Sequence, residues 1–80
     1  MKNEFLATFH TYYGATSFNK HCKEIGVASK MQPVPRELSA SCGACVRFWS
    51  TAAPNPAHFE DMENCYSVTP DEKYTLVASG

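Results

Sequence analysis

Long hydrophobic runs are missing from this 80-residue chain, and with them the ~20-residue apolar stretch that a membrane-spanning helix needs. An excess of one charge is missing too: seven Lys and Arg face eight Asp and Glu, for a formal net charge of -1. The basic residues Lys2, Lys20, Lys23, Lys30, Arg36, Arg47 and Lys73 are scattered along the chain, so no general electrostatic footprint for nucleic acid or an anionic membrane is expected. There is no G-x-S-x-G, no Walker-type glycine loop and no G-x-G-x-x-G, which removes the hydrolase, nucleotide-binding and kinase motifs. No segment is low in complexity. What is present, 44% hydrophobic and 19% charged residues, is the composition of an ordinary folded chain. Its length points to one domain over residues 1–80 with one core. Met-Lys-Asn-Glu leads straight into a strand-like pattern without an apolar leader, so the expected location is the cytoplasm.

In a reducing cytoplasm, four cysteines in so short a chain read as packing, metal-binding or reactive thiols rather than as a disulfide framework. They are Cys22, Cys42, Cys45 and Cys65, and only Cys42 and Cys45 form a local pair, a CxxC in Ser41-Cys42-Gly43-Ala44-Cys45.

Hydrophobic periodicity orders the rest. Residues 4–10 alternate, with Phe5, Ala7 and Phe9 on one side and Leu6, Thr8 and His10 on the other, as in a strand covered on both faces. Ala15, Phe18, Cys22 and Ile25 then recur at helical steps, with Thr11 as N-cap and Gly26 as a left-handed stop. A second strand over 27–32 stops at Pro33 and Pro35, a small-residue connection follows to Gly43, and a third strand covers 44–50. Pro54-Asn55-Pro56 predicts the start of a second helix, buried through Phe59, Met62 and Tyr66, and residues 74–78 predict a last strand. The resulting order, βαββαβ, predicts an α+β ferredoxin-like sandwich: a four-stranded antiparallel sheet in order 4-1-3-2 with two helices on one face.

In that fold one edge of the sheet gathers His10 at the end of the first strand, the start of the first helix, Cys42 and Cys45, and Cys65 near the end of the second helix. Cys22, farther down the first helix, reads as core. A cysteine acts as a nucleophile through its thiolate, favoured by a helix N-terminus or by a cation such as Arg36. Gly43 leaves the backbone beside Cys42 uncrowded. A thiolate that accepts a sulfur atom becomes a persulfide, and passing it on needs an accessible sulfur and a docking surface rather than a deep pocket.

Phe9-His10-Thr11 and the run Pro33-Val34-Pro35-Arg36-Glu37-Leu38-Ser39-Ala40-Ser41-Cys42-Gly43 resemble the selenium/sulfur (Se/S) carrier protein-like family of small bacterial proteins. The likeness extends from about the first through the third strand. It implies that the Cys-Gly cysteine, Cys42 here, carries sulfur or selenium between a donor protein and an acceptor protein, with no resident cofactor. Cys45 is a departure from the Cys-Gly pattern. Pro33 and Pro35 precede the cysteine, the reverse of the Cys-Pro-x-Pro order of TusA-like sulfur carriers.

Three readings follow. In the first, Cys42, Gly43, Arg36, His10 and Cys45 form a carrier site, with Cys45 or Cys65 able to release the cargo by forming a disulfide. In the second, Cys42 and Cys45 with Cys65 and His10 or His58 hold zinc, although a lone CxxC lacks the second pair that structural zinc sites show. The third is a non-enzymatic interaction module, homodimeric through the exposed sheet face or an edge strand.

Overall fold

The computed structural model describes residues 3–38, 43–51, 59 and 61–79. Strand β1, Asn3–Phe9, is central because its alternating residues are apolar on one side and apolar or small on the other; Phe5 through Phe9 are all buried. It pairs antiparallel with β3, Ala44–Ser50, through Phe5↔Phe48, Ala7↔Val46 and Thr8↔Cys45. On its other side it pairs with β4, Met62–Val68, through Ala7↔Cys65 and Phe9↔Met62. Strand β2, Ser29–Pro33, flanks β3, and β5, Tyr74–Ser79, flanks β4, giving a five-stranded antiparallel sheet in the order β2-β3-β1-β4-β5.

Helix α1, Tyr12–Glu24, is bounded as its sequence predicts. The Thr11 hydroxyl accepts a 3.0 Å hydrogen bond from the Gly14 N–H and donates one of 2.5 Å to Asp61 Oδ2. At the other end Gly26 adopts φ +79°, its N–H donating to the Lys23 carbonyl while the Val27 N–H donates to that of Cys22, a Schellman closure. Ala15, Phe18 and Cys22 pack on Phe5, Ala7, Phe9, Val46, Phe48, Met62 and Cys65 to form the core between helix and sheet. Phe18 is its hub, edge-on to the rings of both Phe48 and Phe59. Ile25, at the end of the predicted helical stripe, is exposed because it caps the helix instead of facing the sheet.

On the sheet face opposite α1, Leu6, Thr8 and Cys45 are also fully buried. Arg47 lies beside Leu6, hydrogen-bonded to Glu4 and, at 3.1 Å, to Gln32 Oε1. Its guanidinium also donates to the Tyr74 hydroxyl at 3.4 Å and sits 3.6 Å from Glu72 Oε2. Burial alone would lower its pKa, but these partners outweigh burial and raise it, so the cation is firmly held.

The predicted second helix is not what these residues form: Met62 and Tyr66 lie in β4, and α1 is the sole helix among the described residues. The ferredoxin-like arrangement with two helices on one face is therefore replaced by one helix over five strands. The place beside β1 that order 4-1-3-2 gave to the last strand is taken by β4, and the last strand, β5, is still at the edge but pairs with β4 instead of β1. The predicted stripe does not share a face: Met62 packs in the core under α1, whereas Tyr66 opposes Leu6 on the other face of the sheet. A register shift where Met62 pairs with Phe9 and Asn64 with Thr8 interrupts the strand alternation, so that Met62 and Cys65, three residues apart, face the same core. The predicted helix start at Pro54-Asn55-Pro56 lies outside the described residues.

Candidate functional site

Antiparallel pairing brings the C-terminal ends of β1 and β2 to the same edge as the N-terminal end of β3. There the chain turns from β2 through a bend in which the Leu38 N–H donates to the Pro35 carbonyl at 3.0 Å. It rejoins the sheet at Gly43, whose carbonyl accepts from the Val34 N–H at 3.2 Å. Gly43 has φ +72° and no atom near the position a Cβ would take, so what selects glycine here is backbone conformation, not crowding. Tyr12, at the first turn of α1, joins Met31, Gln32, Pro33, Gly43 and Ala44 around an open groove of about 290 Å³. Tyr12, 63% exposed, is an aromatic surface beside the point where the connection returns. Arg36 is exposed in the bend. Cys42, which precedes Gly43 in the sequence, lies outside the described residues, as does His58.

Of the other three cysteines, strand alternation places Cys45 and Cys65, and Cys22 lies on the buried face of α1. Cys45 is 0% exposed; its Sγ donates weakly to the carbonyls of Gln32 and Pro33, at 3.5 and 3.7 Å, on the face opposite α1. Cys65 is also 0% exposed, but it opposes Ala7 and belongs to the core under α1. Sequence reasoning placed it at the end of a helix on the functional edge, whereas in β4 it is an interior position between β1 and β5. Burial pushes its thiol up to about 12. Cys22, in the same core, is pushed up by burial to about 11 in spite of a hydrogen bond with Ser29. Both are held as neutral thiols.

The same alternation separates the predicted zinc ligands, since Cys45 and Cys65 face opposite sides of the sheet. Among the described residues no group of three or more His, Cys, Asp or Glu side chains is placed to hold a metal ion. His10 follows β1 on the same edge, half exposed, with Nδ1 3.9 Å from Glu63 Oε2. Asp61 is the residue that sequence reasoning missed: it binds the cap of α1 and accepts from the His10 N–H at 2.9 Å, joining the start of β4 to this edge. Only its proximity to a helix it does not belong to reveals this, and proximity leaves no mark in the sequence.

An α+β fold with a cysteine-bearing connection at the open edge of its sheet is matched in sequence. Residues 4–55 match the family described as Putative Se/S carrier protein-like, and the chain belongs to that family. It is also similar to the uncharacterized protein YtiA of Escherichia coli (strain K12), 33% identical over 51 residues. That alignment covers 64% of this chain and 58% of YtiA, so the chain spans a little over half of the relative it matches. No solved structure matches the chain. Among the described residues no helix is long and apolar enough to cross a membrane.

Proposed function

We propose that the protein carries sulfur or selenium on Cys42, as a persulfide or perselenide taken from a donor protein and delivered to an acceptor protein. The observation that carries the reading is the partition of the cysteines. Cys22, Cys45 and Cys65 are buried, and Cys42 alone belongs to the connection that returns at the open edge. Membership of the family supports a carrier role, and the matched residues 4–55 include Cys42. Arg36, an exposed cation in the same connection, favours the thiolate, and His10 is the base at that edge of the sheet. Gly43 lets the chain turn into β3 immediately after the reactive sulfur. Tyr12, exposed beside Gly43, offers the partner an aromatic footing.

The test is incubation with a cysteine desulfurase and cysteine, followed by intact mass and thiol-specific peptide mapping. One added sulfur atom on Cys42, removed by reductant, is the expected result. An unmodified Cys42 beside a control carrier that does become modified would overturn the reading.

A further inference from the structure

The two outer strands of the sheet differ in what their free edges present, and hydrogen-bond parity shows how. The Thr69 N–H donates to the Lys73 carbonyl at 3.0 Å, so Thr69 and Lys73 form a bonded pair where β4 meets β5. In an antiparallel ladder such pairs alternate with non-hydrogen-bonded ones. Ser67↔Thr75 is therefore the next bonded pair, and Val68↔Tyr74 and Tyr66↔Leu76 are not bonded. The N–H and C=O groups of Tyr74 and Leu76 accordingly point away from β4, toward an edge that no strand among the described residues occupies. On β2 the Trp49 N–H donates to the Ala28 carbonyl and the Val34 N–H to that of Gly43, and the same parity turns Ser29, Met31 and Pro33 outward. There proline removes a donor and Lys30 adds a charge, both devices that blunt an edge. Strand β5 has neither: Tyr74–Ser79 contains no proline and no charged residue, and Leu76 and Val77 are 54% and 45% exposed.

We infer that β5 pairs antiparallel with β5 of a second copy of this chain, about a two-fold axis at Thr75, so that two five-stranded sheets join into one. The inference stands apart from the carrier reading of Cys42. Its register follows from the same parity. With Thr75 opposite the partner's Thr75, Tyr74 lies opposite the partner's Leu76 and Leu76 opposite the partner's Tyr74, and each of these pairs exchanges both of its outward hydrogen bonds. An axis at Tyr74 would call on Glu72, which at φ 63° has left the strand. An axis at Leu76 would call on Ala78, which lies beyond the register shift and, opposite Cys65, turns its backbone back toward β4. Side chains fit the remaining register. Tyr74 stands on the face opposite α1, where its hydroxyl accepts from Arg47, and the partner's Leu76 completes an aromatic–aliphatic cross-strand pair on each side of the axis. On the α1 face the two Thr75 side chains meet at the axis as a threonine pair. The contact is isologous, and the blunted β2 edges do not extend it, so it closes at two copies.

Sedimentation velocity over a range of concentrations, with reductant present, tests the dimer. A contact this short buries less than the ~1,200–2,000 Å² of a stable complex, so half-association is expected between about 10 µM and 1 mM. Thr75→Lys sets two like charges opposite each other at an exposed position and should weaken self-association by about tenfold or more, with the unfolding midpoint of the dilute monomer unchanged. Cysteine cross-linking reads the register, in a Cys42→Ser background whose remaining Cys22, Cys45 and Cys65 are buried. Thr75→Cys should link two copies under mild oxidant, because a non-hydrogen-bonded pair holds its Cα atoms about 4.5 Å apart, within disulfide reach. Val77→Cys, which faces the partner's Lys73 and not its own copy, should not link. A monomer throughout, up to millimolar concentration, would overturn the inference. Self-association undiminished by Thr75→Lys, or linking of Val77→Cys as fast as Thr75→Cys, would place the contact elsewhere and overturn it equally.

Discussion

Raising the pH should unfold this protein through thiols that take no part in its chemistry. Burial pushes Cys65 up to about 12 and Cys22 up to about 11, against an ordinary thiol at 9.0. A folded-state pKa above the unfolded one means that the native state holds its proton longer. The stability from the buried neutral thiols is thus complete below pH 9 and is lost as pH climbs toward the folded values. Each such thiol contributes a slope of about 1.4 kcal/mol per pH unit inside its window. Over the two units from pH 9 to 11 the pair together removes about 5 kcal/mol. That is comparable with the whole stability expected of an 80-residue domain, roughly 4–12 kcal/mol at about 0.05–0.15 per residue. Urea titrations followed by Trp49 fluorescence, with reductant present, should show the urea midpoint falling steeply above pH 9. Replacing Cys65 by Val, close in size and without a proton to lose, should reduce the slope by about 1.4 kcal/mol per pH unit whatever other groups contribute. If wild type and Cys65→Val lose stability in parallel up to pH 11, burial is not what holds that thiol neutral and the reasoning fails.

Under native conditions a small alkylating reagent should modify Cys42 and spare Cys22, Cys45 and Cys65, all three of which should label on unfolding; peptide mapping that found Cys65 among the fast sites would contradict its burial. Gly14→Ala should destabilise by about 1–3 kcal/mol in thermal unfolding although alanine favours helices by ~1, because its Cβ would stand 2.3 Å from that of Asp61. Pairing it with Asp61→Gly should recover part of the loss, and no recovery would place the clash elsewhere. A double-mutant cycle on Glu4→Gln and Arg47→Met should return a coupling of about 1–3 kcal/mol, the range of a hydrogen bond to a charged group, and additive losses would mean that the pair stabilises nothing.

The local elements were legible wherever a single residue type decides a local geometry. Thr11 and Gly26 bound α1 because capping by a hydroxyl and a left-handed stop are properties of those residues themselves. The alternation of Phe5, Ala7 and Phe9 against Leu6 and Thr8 marked a strand buried on both faces, and Val46 and Phe48 against Cys45, Arg47 and Trp49 marked its neighbour. The Cys-Gly run at residues 42–43, which carries the family resemblance, is likewise a sequence property.

Other features depended on neighbours distant along the chain. Met62 and Cys65 share a face only because β4 carries an extra residue where its Met62–Asn64 opposes Thr8 and Phe9, and where such a bulge falls is set by the pairing with β1. With that strand mistaken for a helix, the strand order, the partner beside β1 and the place of Cys65 were all displaced together. The Asp61 contact with the cap of α1 joins residues fifty positions apart. The sequence determines which cysteines exist and which one sits beside glycine. Tertiary structure decides which sulfurs are sealed in, because burial on either face of a sheet is set by the strands and helix packed against it.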